Sequence, residues 1–410
     1  MPGSKPHRRN MIATILVGAA CFLSIALLSS SAHSEPGGIE NAGSSSGAIL
    51  LVAKQIFDGT SLRKDEAILV NGSSVVEVGR AEILKSRATK LIDLGDATIL
   101  PGFIELHAHV VLRKVPQEAL LKHGVTTVRD VGGPLLPPFG GDGKLRVLTA
   151  GPIITIQDGY PISVFGKGYV AEAVQSPGEA KSLVSRLVQG GAALIKIALE
   201  PGGEAGAPWS RHHGNAAPPW PMAGHEIISA IVAEAHRLGR IVTAHIGENR
   251  GAALALSAGV DEWAHVPCLE LDDDLIRQAA KQKIRVVTTF DTMSHCPGVL
   301  ANGRKLAGAG VSLLYGAEIA HDDVPWGIDA QELRYIQHST GMSELEVLRT
   351  ATSEAGKELG MEPLGTIVAG APADLIAVKG DPLANFKILE YPDLVMSGGV
   401  VVLDNFSQRR

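Results

Sequence analysis

Two things are missing from this 410-residue chain: cysteines at CxxC spacing, and any run of lysine or arginine beyond the first few residues. The first absence excludes a thiolate metal centre. The second, with a formal net charge of −6, excludes nucleic acid as a partner. Aromatic residues are also scarce, at 4% against 47 glycines and 23 prolines. That balance fits a turn-rich α/β protein and excludes bulk disorder. A chain of this length buries a large core and is expected to form two domains.

Three cysteines are present. Cys21 lies in an N-terminal segment with the marks of a secretory signal. Lys5, Arg8 and Arg9 precede an apolar stretch from Met11 to Leu28, and Ala32-His33-Ser34 supplies small residues at a cleavage site. Residues 1–34 are therefore read as a signal peptide, which predicts a secreted or periplasmic protein with no stable membrane partner. An uncleaved membrane anchor is the rival reading, because the apolar stretch is long. Cys268 and Cys296 remain in the body of the chain. Two buried free thiols are their ordinary outcome, and a disulfide is the alternative.

Residues 35–47 are a polar, Gly/Ser-rich linker. From Ala48 to Leu100 the pattern is short β-rich runs, with Asn71-Gly72 marking a hairpin turn. The same texture returns over residues 361–405, which predicts one small composite β-sandwich built from both ends of the chain. The middle, 101–360, alternates apolar runs with amphipathic segments. Strands are expected at Phe103–His109, Thr126–Asp130, Arg146–Ala150, Ala193–Ala198, Ile241–Ile246, Val260–His265, Ile284–Thr289 and Val311–Gly316. Helices are expected at Glu179–Gln189, His225–Leu238, Asp273–Lys281 and Glu344–Leu359, the last opened by a Ser343/Glu346 capping box. Eight strands with intervening helices read as a (β/α)8 TIM-like barrel, although the second β/α unit shows no helical pattern.

Polar side chains gather where these strands finish. In a regular strand, residues two apart share a face, so His107 and His109 of "FIELHAHV" project together. Lys196 sits inside "AALIKIALE", where an ammonium is costly among apolar neighbours. His245 closes the fifth strand and His265 the sixth. Barrel active sites lie at the C-terminal ends of the strands, so four imidazoles converging there point to a divalent metal. His123, His236 and His338 are read instead as packing, capping or solvated groups. His212, His213, His225, His295 and His321 fall in loops that could shape specificity, as does Tyr160 in "DGYP".

The segments "LPGFIELHAHV", "GAALIKIAL", "EAHRLGRIVTAHI", "AGVDEWAHV" and "LRTATSEAGKELGMEPLGTIVAGAPADLIAVKGDPL" resemble the amidohydrolase superfamily, in particular its imidazolonepropionase-like and metallo-dipeptidase (prolidase-like) branch. The resemblance runs from about Ala48 to Val402. It implies one or two divalent ions, such as Zn2+. His107 and His109 would hold the more buried ion, His245 and His265 the second, and Lys196 as a carbamate would bridge them. It also implies hydrolysis of an amide-type C–N bond, in a small peptide or cyclic amide, by metal-activated hydroxide. Lys196 argues against a strict imidazolonepropionase, whose pattern lacks this lysine.

The family's Gly-Thr-Asp after the eighth strand is here Gly316-Ala317-Glu318. The expected metal-binding proton shuttle is thus one methylene longer than usual. The catalytic set implied is Glu318, Lys196 and His265, with Tyr160, His295 and His321 against a small-molecule substrate. Asp322 or Asp323 is a substitute for Glu318 from the loop. A lactone or ester hydrolase and a metal-binding pseudoenzyme are the alternatives, and homo-oligomerisation is left open.

Overall fold

The computed structural model describes residues 47–166, 170–202, 218–321 and 323–407. The signal segment, all of the linker except Gly47, His212, His213 and Asp322 lie outside the described residues.

Among the described residues, ten short parallel strands in two sheets carry the site. Phe103–Ala108, Val125–Asp130 and Arg146–Thr149 pair in parallel as one sheet. A second parallel sheet runs Ile153–Thr155, Ile195–Leu199, Val242–Ile246, Glu262–Trp263, Arg285–Val287 and Ser312–Leu314, with Ala171–Ala173 added at its edge outside Ile153–Thr155. Most positions along these strands are buried on both faces, the mark of parallel sheet covered by helices.

The third expected strand, Arg146–Ala150, extends further than expected and is divided. Gly151 takes a positive φ of 77°, and Pro152 has no N–H to give to a ladder. The piece before this break pairs with the second strand, and the piece after it pairs with the fourth. At the other end of the run, Ala108 bridges Ile319 in parallel, and His109 N–H donates to Ile319 O at 2.9 Å. First-strand and last-strand ends therefore meet.

The helices follow the apolar periodicity. Pro177–Gln189 is capped by Ser176, whose side chain accepts from Glu179 N–H at 3.2 Å, and it buries Ala180, Leu183, Val184 and Leu187 at spacings of three and four. His225–Arg237 and Asp273–Gln282 form near their expected bounds. Asn249–Ala258, Val299–Gly308 and Ala330–Thr340 are helices that the pattern did not single out. The expected helix 344–359 is two, Glu344–Thr350 and Ser353–Glu358. Its capping box is present. The break has a tertiary cause: Thr350 O accepts from Tyr315 N–H and Ala351 O from Ile104 N–H. Between the two helices Thr352 takes φ −129° and ψ −99°, outside the helical region.

The β-rich flanks give two further sheets. One orders Ser74–Gly79, Ala67–Asn71, Ile49–Val52 and Lys90–Asp93. The other orders Val400–Asp404, Leu394–Ser397, Leu375–Lys379, Ala97–Pro101, Gln55–Phe57 and Leu62–Lys64. Leu375–Lys379 runs antiparallel to Ala97–Pro101 from Leu375↔Pro101 to Lys379↔Ala97, so segments nearly 300 residues apart share one sheet. Leu51, Ile68 and Val70 of the first sheet lie in one apolar cluster with Ile99, Leu375 and Met396 of the second. The hairpin loop is Gly72-Ser73, one residue later than expected, with Gly72 at φ 56°.

Cys268 and Cys296 are not free thiols. They form a disulfide, Cα–Cα 4.8 Å, between positions 28 apart in sequence. Folding brings the loops after the sixth and seventh strands side by side, which spacing alone does not reveal. Replacing both cysteines by alanine is expected to cost about 3.5 kcal/mol, the closure entropy of a loop this long. Urea unfolding of the oxidised protein beside the double variant measures it, and coincident midpoints would show the crosslink to be idle.

Candidate active site

His107 lies near the end of Phe103–Ala108, but the strand is not regular there. Glu105 pairs with Val128 and Ala108 with Asp130, so Leu106 and His107 together face Arg129 alone. This is a β-bulge, a device that re-aims side chains beside active sites. His109 lies just past the strand, at the start of the short helix Val110–Arg113. Both rings line one cavity, with centroids 5.4 Å apart. His107 Nδ1 donates to Ala264 O at 2.8 Å and His109 Nδ1 to Gly132 O at 3.2 Å. These backbone contacts set the tautomer, leaving each Nε2 as a lone-pair donor. Burial holds His107 well below the usual imidazole range and His109 down at about 4, so both are neutral.

Lys196 is buried in Ile195–Leu199 at 2% exposure. Desolvation pulls its ammonium down to about 7, against the opposing pull of Glu318 and Glu262. His245, in Val242–Ile246, places its ring 4.8 Å from that of His265 and 4.7 Å from that of Tyr160. His265 lies two residues past Glu262–Trp263, and its ring is 4.5 Å from that of His107.

Glu318 is central. Its Oε1 lies 3.8 Å from His109 Nε2 and 4.0 Å from His107 Nε2, and its Oε2 lies 3.9 Å from His265 Nδ1. Burial pushes its carboxyl up to about 7, with Lys196 pulling the other way. The backbone presents it in the left-handed region, at φ 61°, a conformation costly for a residue with a Cβ. Gly316 makes this approach feasible, because a Cβ there would fall 2.3 Å from Val287 Cγ1. Asp323, one of the two loop alternatives to Glu318, is exposed and does not line the cavity.

The cavity is about 360 Å³. Leu112, Ile153, Phe165 and Met293 form apolar wall, and Tyr160 stacks on Trp220 at 5.6 Å. Tyr160 and His321 line it as expected. His295 does not: it is exposed, and Met293, two residues earlier, faces the cavity in its place. The turn after the seventh strand rotates the histidine outward. His225 is also outside, with Nε2 3.1 Å from Ser257 O. His123 donates to Glu390 O, His236 pairs with Asp261, and His338 is exposed beside Arg304.

Three supporting residues escaped the sequence reading. Glu105 accepts His107 N–H at 2.7 Å and Ala317 N–H at 3.0 Å, tying the first strand to the Glu318 loop, and burial pushes its carboxyl up to about 8. An acid inside the apolar run "FIELHAH" was the available signal. Glu200 lies four residues past Lys196, with Oε2 3.4 Å from His245 Nε2. Thr289 shares a 2.9 Å hydrogen bond with His265 Nδ1 while held at φ 45°. A β-branched residue in that region is a genuine outlier, and such strain collects at functional sites. Nothing in the sequence marks it.

Donor atoms of His107, His265 and Glu318 lie within 4.8 Å of one another. His107 Nε2 and Glu318 Oε2 are buried with no hydrogen-bond partner among the described residues. Orphaned buried atoms of this kind are costly. A cation between neutral imidazoles and a carboxylate would satisfy them together, so the residues fit a divalent metal ion. His109, Lys196 and His245 line the same cavity without joining that tight group.

Residues 271–402 match the sequence model of the amidohydrolase family. The chain is 27% identical over 289 residues to the ochratoxinase of Aspergillus niger, covering 64% of this chain and 57% of that protein. It thus spans little more than half the length of that relative. A solved amidohydrolase superposes with a TM-score of 0.72 at 26% identity, over 88% of this chain and 100% of the other. A crystal structure of a Xaa-Pro dipeptidase with methionine bound in its active site gives 0.71 at 23% identity, over 87% and 99%, a likeness of fold. The family segment contains Glu318 but none of the strand-end candidates from His107 to His265. Its C-terminal third thus matches the amidohydrolase family model, and the chain is similar to amidohydrolases in sequence and in α/β architecture.

Proposed function

We propose that this chain is a metal-dependent hydrolase of an amide-type C–N bond in a small peptide or cyclic amide. In this reading the parallel strands form a (β/α)8 barrel over residues 101–360, and residues 48–100 and 361–405 form a composite β-sandwich. Segment 1–34 directs export, to which the Cys268–Cys296 disulfide lends support, since disulfides persist in oxidising compartments. The observation that carries the reading is the convergence of His107, His265 and Glu318 within 4.8 Å in a buried cavity. The name of a Xaa-Pro dipeptidase among similar structures supports amide substrates.

His107, His109 and Glu318 would hold one ion, and His245 and His265 a second, with carbamylated Lys196 between them. A divalent ion bound there supplies Lewis acidity, which makes a water nucleophilic near neutral pH and polarises the scissile carbonyl. Lys196, desolvated and pulled down to about 7, presents a neutral amine near neutral pH. Its Nζ lone pair adds to the carbon of CO2 and releases one proton, giving a carbamate anion. Glu318, pushed up to about 7 by burial, is poised to take a proton at its carboxylate and return it to the leaving nitrogen. Tyr160, stacked on Trp220 and against His245, closes one side of the cavity from water.

Metal analysis of the purified mature protein tests the reading. One to two equivalents of zinc or a similar divalent ion are expected, falling sharply in His107→Ala and His245→Ala. Unchanged metal content in both variants would sink the assignment. Activity is then screened on dipeptides, cyclic amides and lactones, and full metal loading without turnover on any of them would mark a pseudoenzyme.

A further inference from the structure

Arg129 is an oddity on the second strand. It is 2% exposed, among the largest fully buried side chains, and it points inward between strands rather than to solvent. Its guanidinium donates three hydrogen bonds, each to an element that leads to a candidate ligand. Nε donates to Leu106 O at 2.8 Å, and Nη1 and Nη2 donate to the two carboxylate oxygens of Glu262 at 3.0 and 2.7 Å. Leu106 precedes His107, and Glu262 lies three residues before His265. Leu106 and His107 are also the two bulged residues, and the residue they face across the ladder is Arg129 itself. The sixth strand in turn holds His107 directly, through Ala264 O on His107 Nδ1.

We propose that Arg129 is a positioning residue for the metal ligands: clamped by Glu262, it holds the Leu106–His107 bulge in the form that aims His107 and His109 into the cavity. This rests on the metal-hydrolase reading above. A planar fork suits the task, because it grips two strands at fixed angles. Folding stability is a poor alternative explanation. A buried ion pair contributes little net stability compared with apolar residues of similar volume, and removing both partners is often neutral or stabilising.

The experiment compares wild type, the double variant Arg129→Met/Glu262→Met, and Arg129→Lys, which keeps the charge and loses the fork. Three quantities are measured: zinc affinity by chelator competition, the absorption spectrum of the cobalt(II)-loaded protein, and the thermal midpoint of the metal-free protein. Leu183→Ala, on the buried face of the Pro177–Gln189 helix, serves as a destabilised control. The double variant is expected to keep its metal-free midpoint while zinc affinity falls roughly 10–100-fold, the usual effect of losing support behind a ligand, with an altered cobalt spectrum. Arg129→Lys should shift affinity and spectrum in the same direction, and it decides the matter if the double variant does not fold. Leu183→Ala should lower the midpoint and leave both metal readouts alone. Wild-type affinity and an unchanged spectrum in a folded Arg129 variant overturn the positioning role while leaving the hydrolase reading intact. Absence of binding of any divalent ion tried, zinc and cobalt(II) among them, in wild type overturns both.

Discussion

Glu318→Gln should hydrolyse substrate some 10²–10⁴-fold more slowly than wild type while keeping most of its metal, the range expected when a positioned acid–base group is lost. The amide preserves the size of the side chain and one oxygen, so the cavity is barely disturbed. What disappears is the capacity to accept and return a proton from a point about 4 Å from His107, His109 and His265. Glu318→Asp should remain active. It withdraws the carboxylate by one methylene, and misplacement on that scale can cost up to about a hundredfold in rate, so turnover stays measurable. Steady-state kinetics and metal content on the three proteins decide the matter. Wild-type turnover in Glu318→Gln would place the shuttle elsewhere. The exposed Asp323 is a weak candidate for that role, since it is not among the residues that line the cavity.

Lys196→Ala should lose one metal ion and nearly all activity, an effect as large as the first but with a different signature. A buried amine among His107, His265 and Glu318 has little to do in an apolar core unless it is converted to something the site can use. Supplying a short carboxylic acid together with metal should restore part of both, because the acid occupies the space left by the side chain and provides the missing anion. The same treatment should do nothing for Glu318→Gln. A Lys196→Ala protein with full metal content and full rate would show the lysine to be structural.

Much of the site was legible along the chain. His107, His109, Lys196, His245 and His265 stand out because polar groups at the ends of apolar strand-like runs violate the pattern of a buried parallel sheet. Each of them lines the cavity, as do Tyr160, Glu318 and His321. The residues that support them were less visible. Glu105 stands out only as an acid in an apolar run and Arg129 not at all until the strands are paired, since their roles depend on a partner 212 or 133 residues away.

Local pattern therefore marked most of the strands, several of the helices and the polar strand-end residues that line the cavity, because burial and periodicity are properties of a short window. Tertiary structure alone decided the rest. The 344–359 helix breaks where Thr350 and Ala351 carbonyls accept from Tyr315 and Ile104. Cys268 meets Cys296 only when two loops lie side by side. Thr289, held at φ 45°, donates its N–H to Gly316 O, and the bulge at Leu106–His107 takes its form against Val125–Asp130. Such contacts outweigh a residue's own preference by a few kcal/mol, and no window of sequence contains both partners.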